Sequence, residues 1–215
     1  MNYFIIGDIH GCFYTFRNLL KKHWNQENEM VIQVGDLIDR GRNSPQTVKY
    51  ARELCYTYQN QIIFLKGNHE YEIINHFLNP PNRNWLNQVG EKTLLQYNQI
   101  NRQIESDIEW FMGLPLFWEN ENIFISHAGI SNDSLIPFIE SDPNGVLWNR
   151  ESLINIGKLQ VVGHTPIETP IYNSINNSIN IDTGAYSSRY LTGLKLTSTG
   201  DIIKIVTEVT DIRDL

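Results

Sequence analysis

The chain has 215 residues, of which 41% are hydrophobic and 19% charged, and its formal net charge at pH 7 is −7. This length predicts a single domain over residues 1–215 with one sizeable core. The negative charge argues against a nucleic-acid polymer as the main partner, because neutralising many phosphates needs clustered Lys and Arg. The sequence has no basic leader and no apolar run of membrane-spanning length, so we expect a cytoplasmic protein without a membrane partner.

Short apolar runs that end in a glycine or a polar cluster predict the strands of the chain. Between the first of these runs, Phe13, Phe16 and Leu20 recur at near-helical spacing, and Ser44 followed by Pro45 is typical of a helix N-terminus. The alternation of strands and helices predicts an α/β chain. The strand-like runs lie at 3–7, 30–35, 62–67, 123–126 and 159–163.

Two later segments have a different character. Residues 79–112 are rich in Asn and Gln at their start yet retain apolar positions such as Trp85 and Leu94, so we interpret them as a helical insert. After about Pro170 the pattern becomes a series of strand-like pieces separated by turns, which predicts a β meander. These pieces lie at 178–181, 191–197 and 201–209.

Side chains that bind metals follow each predicted strand, which is where α/β folds gather their sites. Asp8 and His10 are two positions apart, so in an extended or turning segment both can approach one ion. The set mixes carboxylate, amide and imidazole without sulfur, which suits Mn, Fe or Zn in a reactive site better than a structural zinc. The positions after the later strands are Asp36, Asn68, His127 and His164.

These residues lie in five ordered motifs that together resemble those of the calcineurin-like metallophosphoesterases, in the phosphoprotein phosphatase branch. The resemblance spans about residues 5–185, and one departure is His-Ala-Gly where the family often has His-Gly-Gly. It implies a four-layer α/β (α+β) sandwich, with two central mixed β-sheets flanked by helices. The motifs are GDIHG at 7–11, GDLIDRG at 35–41, GNHE at 67–70, HAG at 127–129 and GHT at 163–165.

The resemblance implies a centre of two divalent metal ions, with Mn²⁺ as the first choice and Fe or Zn as alternatives. A hydroxide shared by the two ions is then the expected nucleophile. The implied ligands are Asp36 as the bridge, Asp8 and His10 for one ion, and Asn68, His127 and His164 for the other.

The resemblance also implies the groups that act on the substrate. His69 matches the general acid that protonates the departing alkoxide, and Asp39 would orient it and stabilise its charge. Arg40 and Arg150 would bind the phosphate together with Asn68, because guanidinium stays charged and forms bidentate bonds to phosphate oxygens. Arg150 lies in the sequence LWNR, which is a looser motif than the others.

The function that this resemblance predicts is hydrolysis of phosphate monoesters, with phosphoserine or phosphothreonine in proteins as the first choice and a small phosphoester as another. A symmetrical diadenosine tetraphosphate hydrolase that yields two ADP is an alternative. A second alternative is a metal-binding scaffold without catalysis. His69, Asp39 and Arg40 argue against the scaffold, because a scaffold needs metal ligands but no acid.

Several single residues have other interpretations. A pair between Arg40 and Glu70 would leave the phosphate to the metals alone. We interpret Glu70 as a brace behind the ligands and Asp182, in the sequence IDTGA, as a structural residue at a strand end. Tyr186 is a candidate for the substrate groove.

Overall fold

The fold is known from a computed structural model that describes all 215 residues, from Met1 to Leu215. Two five-stranded mixed β-sheets form its centre, and helices flank them, which confirms the predicted fold class. The strands are β1 (Asn2–Ile6), β2 (Glu29–Gln33), β3 (Ile62–Phe64), β4 (Phe117–Glu119), β5 (Ile123–Ser126), β6 (Leu159–Val162), β7 (Tyr172–Asn173), β8 (Ser178–Asn180), β9 (Tyr190–Leu196) and β10 (Ile202–Val209).

The helices cluster in the first half of the chain. A π-helical stretch at Leu86–Gly90 joins the fourth and fifth helices, and short 3₁₀ turns occur at Ala185–Ser187 and Ile212–Asp214. No helix combines the length and the apolar character needed to cross a membrane. The helices are α1 (Phe13–His23), α2 (Ser44–Thr57), α3 (Asn68–Leu78), α4 (Arg83–Trp85), α5 (Glu91–Gln99) and α6 (Glu105–Met112).

The strand order is β10-β9-β1-β2-β3 in the first sheet and β4-β5-β6-β8-β7 in the second. Strands β1, β2 and β3 run parallel, and β9 and β10 form an antiparallel pair beside them. In the second sheet β5, β6 and β8 run parallel, and β4 and β7 pair antiparallel at the two edges. The carboxyl ends of the parallel strands in each sheet therefore lie at one edge, where their following loops can meet.

The parallel strands of the first sheet pack in two cores, one on each face, which explains their continuous apolar runs. In β1, Phe4 and Ile6 pack in the core under the helices, whereas Ile5 packs between the sheets. The core between the sheets also receives Ile32 from β2 and Val161 from β6. The five predicted strands are confirmed as β1, β2, β3, β5 and β6.

The predicted β meander is wrong. Strands β7 and β8 belong to the second sheet, where β8 pairs in parallel with β6, whereas β9 and β10 belong to the first sheet. The chain changes sheets at 181–189 because Ile179 and Ile181 pack in the core between the sheets, while β9 pairs with β1. Local strand pattern does not specify this choice, because it depends on distant pairing partners.

The helix that Ser44 and Pro45 predict is present as α2, but its N-cap lies one residue before Ser44. Asn43 occupies the cap position, and Ser44 is the first helical residue. The Ser44 hydroxyl instead accepts a hydrogen bond from the backbone N–H of Asp39 at 3.0 Å. Segment 79–112 contains α4, α5 and α6, while its status as an insert and the extent of the domain stay predictions.

Candidate active site

The turns that carry the motif residues have a strained backbone. His10, Asp36, Asp39, Arg40 and His164 all have positive φ angles, between 47° and 71°. This left-handed region is uncommon for residues other than glycine, costs of order 1 kcal/mol per residue, and occurs most often at functional sites. The tight turns direct these side chains into the space beyond the strand ends.

Glycines next to the ligands permit close approach of the chain. A Cβ atom on Gly163 would lie 1.9 Å from Oδ1 of Asp8, and one on Gly67 would lie 2.2 Å from Oδ1 of Asp36. Both distances are too short for a Cβ atom, so any residue larger than glycine would have to displace the carboxylate of Asp8 or Asp36. The glycines of the GHT and GNHE motifs are therefore needed to seat the two aspartates.

Three metal-competent atoms converge at one point of the site. Oδ1 of Asn68, Nε2 of His127 and Nδ1 of His164 lie 3.0 to 3.1 Å from one another. Nδ1 of His127 lies 3.1 Å from the carbonyl oxygen of Val34, so in the neutral ring this nitrogen donates and Nε2 presents a lone pair to the cluster. Such a triangle of lone pairs is the arrangement that a cation requires.

Asp36 joins this triangle to a second group of ligands. Its Oδ2 lies 3.4 Å from Nε2 of His127 and 3.4 Å from Nε2 of His10. His10 in turn holds the carbonyl oxygen of Ile38 through Nδ1 at 2.9 Å, which leaves Nε2 free to face Asp36. One carboxylate oxygen therefore lies between imidazole groups on both sides, while the bridging role of Asp36 stays a prediction.

Asp8 lies beside the His164 turn, and only one of its carboxylate oxygens has a hydrogen-bond partner. Its Oδ2 accepts the backbone N–H of His164 at 3.0 Å, but its buried Oδ1 has no hydrogen-bond partner. Burial and the neighbouring charge of Asp182 raise the pKa of Asp8 well above its ordinary value. A free oxygen on a buried carboxylate of this kind is available to a cation.

The candidate histidine ligands differ in the direction of their pKa shifts. Burial holds the pKa of His10 well below its ordinary value, and burial together with His127 lowers that of His164 to about 3. Burial also acts to lower the pKa of His127, but the charge and hydrogen bond of Asp36, together with the charges of Asp8 and Glu70, outweigh it and raise the pKa to about 9. In the metal-free site, a proton on His127 thus supplies positive charge that a bound cation would otherwise supply.

These observations test whether the residues fit divalent ions. Buried polar atoms without a hydrogen-bond partner include Asp8 Oδ1, His164 Nε2 and Asp182 Oδ2. An unsatisfied buried group costs about 1–3 kcal/mol, so a fold that keeps such groups beside a lone-pair triangle suits a bound cation. The donors are oxygen and imidazole nitrogen, which fit Mn, Fe or Zn. The residues therefore fit two divalent ions.

His69 lies at the edge of this centre and is paired with Asp39. Its Nδ1 is 2.6 Å from Oδ2 of Asp39, which leaves Nε2 facing outward, 3.5 Å from Nη2 of Arg40. Nε2 is also 3.9 Å from Oδ2 of Asp36, so His69 is within reach of a metal position. The adjacent Arg40 cation disfavours a metal at Nε2 and suits a phosphate there instead. Burial lowers the pKa of His69, but Asp36 and Asp39 outweigh it and raise the pKa.

The helical segment 79–112 holds Asp39 in place. The indole Nε1 of Trp85 donates to Oδ2 of Asp39 at 2.8 Å, and the hydroxyl of Thr93 donates to Oδ1. Asp39, Trp85 and Thr93 are all buried. The sequence identifies Trp85 only as an apolar position of this segment and assigns no role to Thr93. The only sign of this role in the sequence is that a Trp and a Thr occur in a segment rich in Asn and Gln.

Glu70 braces the turn that carries Asp36. Its carboxylate accepts the backbone N–H groups of Asp36, Leu37 and Gly67, each at 2.9 Å. The alternative pairing of Glu70 with Arg40 is absent, because Glu70 is buried against the backbone whereas the guanidinium of Arg40 lies over the ring of Tyr186.

Arg40 and Arg150 lie at different ends of the ligand group. The guanidinium of Arg40 stacks 4.6 Å above the ring of Tyr186, which itself makes an edge contact with His10 at 5.0 Å. Arg150 is exposed, and its Nη1 lies 3.5 Å from the hydroxyl of Thr165, next to His164. Tyr186 thus contacts both Arg40 and His10, while its role in a substrate groove stays a prediction.

Asp182 interacts electrostatically with the candidate metal-binding residues Asp8 and Asp36, which a purely structural role at a strand end does not require. Its Oδ1 accepts the backbone N–H of Gly184 at 2.9 Å, but its buried Oδ2 has no partner. Burial and the charge of Asp36 raise the pKa of Asp182 to about 6. Sequence analysis missed this proximity, for which the sequence IDTGA at a strand end was the only signal.

The calcineurin-like phosphoesterase family model matches residues 1–194 of the chain. The chain belongs to this family. Among its curated relatives is the asymmetrical bis(5'-nucleosyl)-tetraphosphatase PrpE of Anoxybacillus flavithermus, which is 33% identical over 91% of this chain and 90% of its own length. The corresponding Bacillus cereus protein is 31% identical with the same coverage. This phosphoesterase is therefore a metal-binding hydrolase by family.

Solved structures share the fold of this phosphoesterase at low identity. A protein serine/threonine phosphatase from Saccharomyces cerevisiae has a TM-score of 0.73 at 15% identity and covers 98% of this chain and 80% of its own. These values support the fold and carry no information about the substrate.

Proposed function

We propose that this phosphoesterase hydrolyses dinucleoside tetraphosphates and divides the four phosphates unevenly into a nucleoside monophosphate and a nucleoside triphosphate. The observation that carries the chemistry is the convergence of Asn68, His127 and His164 on Asp36. The substrate class is supported by the curated relatives, which match over nearly their whole length. Sequence analysis favoured phosphoproteins and, as the dinucleotide alternative, a symmetrical cleavage.

The proposed metal ligands divide the centre into two positions around one bridge. Two divalent ions held by these residues would supply the positive charge that lowers the pKa of water and neutralises phosphoryl oxygens. We assign Asp36 as the bridge because its Oδ2 faces imidazole nitrogens on both sides. The other ligands are Asp8 and His10 on one side and Asn68, His127 and His164 on the other.

His69 is the proposed proton donor to the leaving group. Its Nδ1 is bound to Asp39, so the outward Nε2 carries the proton that the leaving oxygen takes. A phosphate leaving group is a weaker base than a serine or threonine alkoxide, and it needs this proton less. The acid therefore makes a larger contribution for phosphoproteins than for dinucleotides.

Arg40 and Arg150 suit a substrate with several consecutive phosphates. Arg40 lies beside His69, and Arg150 lies next to the loop that follows His164, so the two cations flank different ends of the ligand group. Guanidinium binds phosphate oxygens in a bidentate manner and stays charged at every relevant pH. A polyphosphate chain uses both cations, whereas a single phosphate uses fewer of their donors.

A second candidate function is phosphoprotein dephosphorylation. The observation that favours it is the 2.6 Å pair of His69 and Asp39, because an alkoxide leaving group gains most from such an acid. A cytoplasmic location and manganese as the native ion stay predictions for either function.

One experiment separates these functions. The manganese-loaded protein is incubated with diadenosine tetraphosphate and, in parallel, with a phosphothreonine peptide, and the products are separated by chromatography. We expect AMP and ATP from the dinucleotide and little phosphate from the peptide. Two ADP would indicate symmetrical cleavage, and phosphate release from the peptide alone would replace the proposal by the second candidate. The Asp36→Asn variant serves as the control for contaminating hydrolases.

A further inference from the structure

An open cavity of about 530 Å³ lies beside Arg150. One wall comes from α3, whose first residue is the proposed ligand Asn68 and which contributes Tyr71 and Glu72. The other wall is the loop that ends in Arg150 and Glu151. The remaining lining residues are Ser141, Pro143, Asn144 and Trp148.

Arg150 connects this cavity with the metal centre. It also lines a second cavity of about 280 Å³, together with Gly163 and Thr165, the two neighbours of His164. Asn68 begins the helix that carries Tyr71 one turn later. A molecule bound in the larger cavity is therefore close to the candidate metal-binding residues, to which Arg150 and α3 connect it.

Two aromatic rings line the cavity. Tyr71 and Trp148 meet edge to face, with ring centroids 5.8 Å apart and planes at 88°, and both residues are half-buried. The indole Nε1 of Trp148 donates to the carbonyl oxygen of Glu140 at 2.8 Å, which fixes the ring. Aromatic faces at the wall of an open cavity bind planar rings, and nucleobases in particular stack on them.

The loop wall is fixed by an ion pair between the buried Lys66 and the partly exposed Glu140. Nζ of Lys66, a residue that is only 3% exposed, lies 2.7 Å from the carboxylate of Glu140 and 3.2 Å from the carbonyl oxygen of Met112. The same Glu140 holds Trp148 through its backbone carbonyl. The cavity is thus preformed, which reduces the entropy lost when a ligand binds.

Away from Arg150, the charges of the lining favour a part of the substrate that carries no phosphate. Arg150 is the only cation of the lining, and Glu72 and Glu151 place two carboxylates on the walls. Carboxylates repel phosphate groups but accept hydrogen bonds from ribose hydroxyls or from an exocyclic amine. The side chains of Ser141 and Asn144 add donors and acceptors for the edge of a base.

We propose that this cavity holds one purine nucleoside of a dinucleotide substrate, with the base against Tyr71 and Trp148 and the first phosphate at Arg150. The inference rests on the proposed function and names the subsite that would recognise the nucleoside. A phosphopeptide is disfavoured because neither the aromatic pair nor the two carboxylates is needed for a phosphate alone.

The test compares Tyr71→Ala with the matched control Tyr56→Ala, because Tyr56 lies on α2 and is 81% exposed. Both manganese-loaded variants are assayed with diadenosine tetraphosphate and with p-nitrophenyl phosphate. We expect Tyr71→Ala to raise KM for the dinucleotide about tenfold, the effect of losing one base-stacking contact. KM for p-nitrophenyl phosphate should not change, and the control should behave like the unmodified protein.

AMP binding to the manganese-loaded protein, measured by calorimetry, tests the subsite independently of hydrolysis. Weaker binding of AMP to Tyr71→Ala than to Tyr56→Ala supports the subsite even if the dinucleotide is not cleaved, in which case the proposed function alone fails. Equal AMP binding by both variants, or no AMP binding at all, overturns the subsite. A KM for the phosphothreonine peptide that rises in Tyr71→Ala without any change in AMP binding also overturns it and marks a peptide groove.

Two further substitutions of Tyr71 control for misfolding of the Tyr71→Ala variant. Tyr71→Leu retains apolar bulk beside Trp148 but removes the aromatic face, and Tyr71→Phe retains the face. Loss of AMP binding in the Leu variant together with its retention in the Phe variant supports stacking. Equal affinities of these two variants for AMP contradict it.

Discussion

The strand-end turns and the helical segment 79–112 both serve the candidate site, but they position their groups in different ways. The turns place Asp36 and His10 directly, through a strained backbone a few residues after a buried strand. The helical segment places nothing in the centre itself. It supplies Trp85 and Thr93, which hold Asp39, which in turn holds His69. This comparison suggests that metal binding and proton donation can be disrupted separately.

The largest effect is expected at the bridge. Asp36→Asn removes the charge shared by both ligand groups, so kcat should fall at least about a hundredfold, the loss seen when one charge-stabilising group is removed. Bound metal, measured by elemental analysis, should fall in parallel. Asp201→Asn, at an exposed carboxylate, is the control. Substantial turnover with full metal content would contradict the bridging assignment.

A smaller effect is expected where the helical segment meets Asp39. Trp85→Phe keeps an aromatic ring but removes the 2.8 Å hydrogen bond to Asp39, so kcat should fall about tenfold, as for partners that orient an active group. Metal content should be unchanged, and the residual hydrolysis of the phosphothreonine peptide should fall more than the hydrolysis of p-nitrophenyl phosphate, because only the peptide has an alkoxide leaving group. Trp110→Phe, in the same segment, is the matched control. Loss of metal from Trp85→Phe would show that the two regions are not separable.

Glu70 tests the brace behind the turns. Glu70→Gln leaves one amide oxygen for three backbone N–H groups, so we expect the free energy of unfolding to fall by about 1–3 kcal/mol, the cost of leaving buried donors unsatisfied. Denaturant titration of the metal-loaded protein measures this change. The exposed Glu53→Gln is the control. Unchanged stability would indicate that the turn keeps its shape without the brace.

The smallest effect is a pH dependence of the metal-free protein. Burial raises the pKa of Asp182 to about 6 and that of Asp8 well above its ordinary value, so both groups favour the folded state when protonated. Their contribution to the free energy of unfolding is fully present below the pKa that each group has in the unfolded chain. It is lost as the pH rises through the pKa that each group has in the folded protein. We therefore expect chelation of the metals to lower Tm more at pH 8 than at pH 5. A Tm difference that is independent of pH would contradict this.

Much of the site could be predicted because its residues are adjacent to predictable strands. A buried strand needs a continuous apolar run, and the polar residue that follows it is visible in the sequence, as with Ile32 and Asp36. The support for Asp39 could not be predicted in this way. Trp85 and Thr93 are far from Asp39 in sequence, and neither residue type signals a hydrogen bond to a particular carboxylate.

By itself, the sequence determined the five central strands and the motif residues that follow them. Local apolar pattern and short-range spacing are enough to specify these features. Only the tertiary structure decided that β7 and β8 join a different sheet from β9 and β10, that the charge of Asp182 raises the pKa of Asp8, and that Tyr71 meets Trp148 beside Arg150. These features depend on pairings and contacts between residues distant in the chain, which the pattern of neighbouring residues does not specify.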